Sequence, residues 1–294
     1  MSTAVDTRPR QRRAPFSGTA WVGVAIVGTV VAFAVSAPLL TPYRPTAPSG
    51  APLAPPSGEH ALGTNAVGQD VASQLLAGTQ VSLLVAVIAG GGTLVIGAAV
   101  GMVAGWRGGR TDAVLMRVVD LLLAIPRLPL LIVVGAYVGP TLWTVAGIIA
   151  LTSWPSGARV VRSQVLSLRR RTHLRAAIGF GAGTWHIVRR HIVAEVGLIL
   201  VAGLVSAAGR AVMLEAGLSF LGLGDPTRTS WGGMIRDAID FGGLLYTDAW
   251  SWWLLPPVLA IIVLLLGFTF AGLGLEETVN PALRRHQRHQ AVPR

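Results

Sequence analysis

Residues 168–194 read LRRRTHLRAAIGFGAGTWHIVRRHIVA, an arginine-rich polar segment held between two long apolar runs. A chain that only reverses direction at a membrane surface needs far fewer residues, and far less charge, than this. The spacing predicts a helix end over His173–Ile178, a break at Gly181 and Gly183, and a second short helix over Thr184–Val188. Trp185 and Val188, three apart, would share one helix face and form an apolar knob flanked by arginines. Such a knob suits a groove on an acidic protein. Anchoring of the same arginines at anionic headgroups, worth about 1 kcal/mol each near the surface, accounts for the charge equally well.

On both sides of this segment the chain is apolar enough to live in lipid. Of its 294 residues 52% are hydrophobic and only 13% charged, about half the charge of a soluble domain. A bilayer core takes about 20 apolar residues per helix. Six spans fit: Trp21–Leu40, Val81–Trp106, Val114–Val138, Leu142–Val161, Ile192–Leu214 and Trp252–Leu275. The fourth is interrupted by Ser153, Trp154 and Pro155, tolerable where neighbouring helices satisfy the freed carbonyl. The fold class expected is an all-α polytopic membrane protein with six transmembrane helices.

All 24 basic residues are arginine. With no lysine, a P-loop, whose lysine reaches the nucleotide phosphates, is ruled out; ATP-driven work would fall to another polypeptide. With no cysteine, disulfides, thiol catalysis and zinc–thiolate sites are ruled out too. The net charge of +11 is confined to particular loops, which argues for a membrane rather than a nucleic acid. Four arginines fall in the N-terminal tail, two in the turn at Arg107 and Arg110, eight from Arg159 to Arg190, and four from Arg284 onward. On the opposite side stand only Arg44, Arg228 and Arg236. The positive-inside rule then puts both termini in the cytosol of a bacterial inner membrane.

The expected organisation is a basic tail over 1–17, a first transmembrane helix over 18–40 and an extracytoplasmic linker over 41–77. A transmembrane core over 78–276 follows, with a cytosolic loop at 162–191 and an outer segment at 217–250, and then a cytosolic tail over 277–294. The Pro/Ala/Gly-rich run Pro42–Gly58 has linker composition, which would tether the first span loosely. Gly97, Gly101 and Gly105 give the second span a small-residue stripe for close helix packing. Asp112 is placed to cap the third span. Trp231–Ile239 has helical periodicity and would lie at the outer surface, and Trp250, Trp252 and Trp253 look like an interfacial aromatic belt.

With Ala176, Ala177 and Gly181 at the matching positions, the 168–194 loop resembles the EAA coupling loop of ABC-importer permeases. Other stretches resemble the C-type subunit of the dipeptide, oligopeptide and nickel permeases. They are His60-Ala61-Leu62-Gly63-Thr64 with Gly68 and Asp70; Gly78 with Ser82-Leu83-Leu84-Val85; and Met116-Arg117-Val118-Val119-Asp120 with Pro126. Leu214-Glu215-Ala216-Gly217-Leu218-Ser219-Phe220-Leu221-Gly222-Leu223-Gly224, Ser230-Trp231-Gly232, and Trp252-Trp253 with Pro256-Pro257 complete the set. They run in order through residues 60–281. The resemblance implies a type I ABC-importer permease fold and a non-catalytic subunit without cofactor or metal. It also implies a homologous second permease, two ABC ATPases, an extracytoplasmic binding protein, and di- or oligopeptide cargo with a nickel chelate as the alternative. The ATPase-coupling residues it marks are Arg175, Ala176, Ala177, Gly181, Thr184, Trp185 and Val188. Two positions depart from the family: its acid before the alanines is Arg175 here, and its Leu-Pro exit is Val193-Ala194, which would soften the angle at which the fifth span begins.

Ionisable residues at membrane depth usually face a cavity or each other. Arg117 and Asp120, three apart, are expected to pair. Glu215 and Arg210 are candidates for the substrate pathway, Glu215 as a packing brace and Arg210 as a positive partner for a peptide carboxylate. An ATP-independent secondary carrier would call for a coupling carboxylate cluster, which the spans lack, and a membrane scaffold would leave the basic loop unexplained.

Overall fold

Backbone amides in lipid have to be satisfied within the chain, which makes helices the way across for apolar runs of this length. The computed structural model describes residues 18–41 and 43–279; the basic tail over 1–17, and the C-terminal tail beyond 279, lie outside the described residues. The elements are α1 (Gly18–Leu40), α2 (Val71–Arg107), α3 (Gly109–Ala124), α4 (Arg127–Val138) and α5 (Leu142–Arg169). Then come α6 (Thr172–Gly179), α7 (Thr184–Ile187), α8 (Val193–Phe220), α9 (Trp231–Asp240) and α10 (Leu255–Val279). One π-helical turn, Val188–Ile192, joins α7 to α8, and another, Trp250–Leu254, leads into α10.

The six expected spans are not six equivalent ones. Four helical runs are long and apolar enough to cross: α1, α2, Thr184–Phe220 and Trp250–Leu275. The third expected span breaks into α3 and α4, bent by 87°. Pro126 offers no N–H to the helix and pushes Ile125 into extended backbone, φ −80° and ψ 127°. The fourth, α5, is one unbroken helix of 28 residues running through Pro155, but it is more polar than the others. It does not have to be apolar all round, because Ser153, Trp154, Pro155 and Ala158 are buried against its neighbours.

α2 is the central post. Its glycine stripe packs within the chain: a Cβ on Gly101 would stand 2.5 Å from the Ala158 carbonyl of α5, and one on Gly105 2.8 Å from Val165 Cβ. Gly90 meets α8 in the same way, with a Cβ 2.9 Å from Ala208 Cα. At its inner end, Arg162 of α5 donates from Nε and Nη2 to the two oxygens of Asp112, at 2.5 and 2.6 Å. Asp112 is thus a strut between α3 and α5; the N-cap position of α3 is Gly108, without a side-chain cap.

The outer side corrects two expectations. Residues 43–58 are folded onto the start of α2 rather than strung out as a tether. The amides of Ser49 and Gly50 donate to the Gly68 carbonyl at 2.8 and 3.1 Å, and Leu53 N donates to Asn65 O at 3.0 Å. Beneath them the buried His60 and Asp70 meet at 2.9 Å, and Asp70 Oδ2 accepts from Ser73 N to cap α2. Composition reports the proline and alanine content but not these long-range pairings. Nor is α1 loose: it crosses α10 so closely that a Cβ on Gly23 would overlap the backbone of Ala271, and Gln80 Nε2 donates to its Ala34 carbonyl at 2.9 Å.

The tryptophans of the outer segment act as pins rather than a lipid belt. Trp231, buried at the start of α9, donates from Nε1 to Leu75 O of α2 at 2.9 Å. Trp252 Nε1 donates to Thr64 O at 3.3 Å, and Trp253 is buried; Trp250 alone of the three is exposed.

Candidate functional site

The 168–194 segment forms an elbow with a buried root and an exposed tip. Leu174 of α6, Ile187 of α7, Ile192 of the π turn and Val196 of α8 are buried in one cluster with Val161, Val165 and Leu168 of α5. Burial of such side chains is worth roughly 1.5–3 kcal/mol each, so the elbow is fixed to α5 and α8. At the tip, Phe180 is 92% and Trp185 75% exposed. Between them Gly181 turns the chain at φ +81°, with open space where a Cβ would be, a conformation that glycine adopts without strain.

Of the expected coupling residues, Ala176 and Ala177 lie on α6 and Thr184 opens α7, with Ala176 and Thr184 exposed. Arg175 is exposed and forms no ion pair among the described residues. Val188 does not share the Trp185 face. It starts the π turn and packs, half-buried, against the anchoring cluster, because the apolar root is where its methyls lose water contact. The knob is instead Phe180 with Trp185. Phe180 escaped the helix-face argument because it sits outside both short helices; its one signal was a large apolar side chain between two glycines in a basic loop.

Glu195 was also missed. From the first turn of α8 it accepts from Arg171 Nη1 at 2.6 Å and meets His173 Nε2 at 3.0 Å. It closes the two ends of the elbow on each other. With Ala194 in place of proline, the run from Thr184 to Phe220 is continuous through the π turn, so Trp185 and the membrane portion of α8 lie on one helical run.

Further along α8 the two pathway candidates part company. Glu215 is buried, accepts from Ser219 Oγ at 2.6 Å, and lines only a small void under the outer segment with Ser230. Arg210 is exposed on a groove of about 470 Å³ between α2, α5 and α8, whose polar lining includes Thr93, Ser156 and Ser206. Arg117 and Asp120 do not pair: Asp120 Oδ1 instead accepts from Arg159 Nη2 at 2.5 Å, since α5 runs alongside α3 there.

The elbow is thus rooted on two membrane helices, and a small groove lies between the same helices and α2. Residues 97–285, more than half of the chain, match the family of binding-protein-dependent transport system inner membrane components. The chain belongs to this family. Over 95% of its length this permease is 33% identical to the dipeptide transport system permease protein of Bacillus subtilis (strain 168), covering 87% of that protein. The oligopeptide transport system permease protein of the same organism is 34% identical over 90% of this chain and 86% of its own. The permease is a multi-pass membrane protein with the type I ABC permease fold. The matched region contains the whole elbow, the outer segment and all of the groove's lining except Thr93 and Leu94.

Proposed function

We propose that this permease forms half of the translocation pathway of an ATP-driven importer of di- or oligopeptides. A homologous second permease supplies the other half, two separate ABC ATPases drive it through the elbow, and an extracytoplasmic binding protein delivers cargo. Both termini then lie in the cytosol, in keeping with the arginine-rich inner loops. The peptide cargo rests on what the Bacillus relatives transport.

The observation that carries the coupling role is the exposed Phe180–Trp185 tip on a buried root. In water such a tip is a binding feature, as aromatic anchors dominate protein interfaces. ATP-driven closure of the ATPases would move the tip. Because Trp185 and α8 lie on one continuous helical run from Thr184 onward, that motion passes along it to the groove, an alternating-access device. Arg175, Ala176, Ala177, Gly181, Thr184 and Trp185 then meet the ATPase or shape its contact, and Val188 holds the root.

The test is purification of the tagged permease from its host, with ATPase subunits expected to come with it, followed by ATP-dependent peptide uptake in proteoliposomes. Gly181→Asp places both a side chain and a negative charge at the positive-φ turn, so uptake is expected to vanish while membrane insertion persists. Normal uptake in that variant sinks the coupling role.

A further inference from the structure

Several charges in the transmembrane region have a partner of opposite sign. Among the described residues, Asp112 is held by Arg162, Asp120 by Arg159, and Glu195 by Arg171 and His173. Arg117 has no ion pair, but it is exposed two turns from the inner end of α3, close enough for its long stem to snorkel to the interface. Arg127 and Arg210 are different. Neither forms an ion pair among the described residues, and both fall within apolar runs long enough to be spans.

Arg210 stands ten residues before the end of α8 at Phe220, about 15 Å along the axis and so near the middle of a bilayer core of about 30 Å. Arg127 is the first residue of α4, just past the Pro126 bend. The fold brings the two within electrostatic range of each other. Leu131, one turn along α4 from Arg127, is buried in the same cluster as Ala211, the neighbour of Arg210, and Leu218. Arg210 is near enough to Arg127 to feel its like charge. Arg210 also lines a second groove, of about 380 Å³, between α8 and α10.

A lone guanidinium at this depth is costly, and such groups mark substrate pathways or partner with an acid. Two that repel each other raise that cost and call for an anion. Arginine keeps its charge under all ordinary conditions and offers a planar fork that matches a carboxylate through two parallel hydrogen bonds. We infer that Arg127 and Arg210 together form a carboxylate-reading site in the pathway, so that the importer favours anionic peptides, those with an acidic side chain in addition to the terminal carboxylate. This rests on the peptide-importer reading above. The groove beside Arg210 is of the size of small-ligand sites, and its hydroxyls from Thr93, Ser156 and Ser206 suit the peptide's amide groups.

The experiment uses the complete importer in proteoliposomes, with its binding protein, and follows uptake of labelled Ala-Ala, Ala-Lys, Ala-Glu and Glu-Glu. Arg127→Gln, Arg210→Gln and Arg210→Lys are compared with wild type, each rate divided by the wild-type rate for the same peptide so that the binding protein's own selection cancels. Each glutamine variant is expected to lose about tenfold on Glu-Glu and Ala-Glu while staying within about twofold on Ala-Ala and Ala-Lys, the scale of one lost charge-assisted hydrogen bond. Arg210→Lys, which keeps the charge, should recover part of the loss. An equal fall for all four peptides overturns the inference, because the arginines then serve the fold or the assembly rather than a carboxylate of the cargo. Unchanged rates, or a wild type that imports only neutral and basic peptides, overturn it as well. A wild type that imports none of the four removes the peptide assignment itself.

Discussion

Trp185 and Asp225 show how single residues divide the labour between the inner and outer faces. Trp185 has almost nothing to lose inside the fold, being 75% exposed. Trp185→Ala should therefore leave the thermal melt of the purified permease unchanged. If the tip is an interface anchor, the same substitution weakens ATPase association by about 2 kcal/mol or more, roughly thirtyfold, which a titration of permease with ATPase would read directly. Asp225 is the opposite case. Its Oδ2 accepts from Leu142 N at 2.9 Å, and Oδ1 from Thr227 N and Oγ1 at 2.9 and 2.6 Å. Burial pushes its carboxyl upward, but the Thr227 hydroxyl, the Leu142 and Thr227 amides and the nearby Arg228 outweigh that and hold it below the usual aspartate range. A group lowered in this way stabilises the fold fully above the unfolded value of about 3.9, and that stability is lost as pH falls through the lower folded value. The melting temperature of wild type should therefore fall on acidification below about pH 4 more steeply than that of Asp225→Asn, which lacks the titration.

Among the elements, α2 and the elbow carry the argument. The close approach of α2 to α5 leaves no room at Gly101, where an added Cβ would stand 2.5 Å from a backbone oxygen. Gly101→Val should destabilise by about 1–3 kcal/mol through overpacking, seen as a lower melt in detergent and less protein in the membrane. Gly91 of the same helix, with open space around it, is the control, and Gly91→Val should be nearly silent. The elbow is clasped rather than packed at its open end, by Glu195 on Arg171 and His173. Glu195→Gln should leave insertion intact and reduce ATP-linked uptake roughly fivefold, the scale of an ion pair of about 1 kcal/mol. An equal loss in Arg171→Gln, with no further loss in the double variant, would show that the two act as one clasp.

For the whole molecule, the arginine asymmetry makes a topology statement that chemistry can check. The chain has no cysteine, so single-cysteine variants start from a silent background. Tyr246→Cys, at a 92% exposed position of the outer segment, should react with an impermeant maleimide in intact cells. Arg110→Cys, exposed at the turn between α2 and α3, should react only once the membrane is opened. Labelling of Arg110→Cys from outside would reverse the orientation and with it the assignment of the elbow to the cytosol.

The sequence by itself determined the class of the protein: apolar runs of bilayer length, a basic loop too long for a turn, and the lack of any lysine for a nucleotide site. It also determined where the elbow lies, because glycines, helix-forming stretches and arginines are local signals. What needed the tertiary structure is everything that depends on which distant groups meet. The 87° break at Pro126, the folding of residues 43–58 onto α2, the Asp120–Arg159 pair in place of Asp120–Arg117, and the inward turn of Val188 are all settled by neighbours far away in sequence. Arg127 and Arg210 lie 83 positions apart and share no local pattern. Only the tertiary fold brings them within electrostatic range of each other, since helix packing follows the shapes of buried faces that spacing along the sequence does not record.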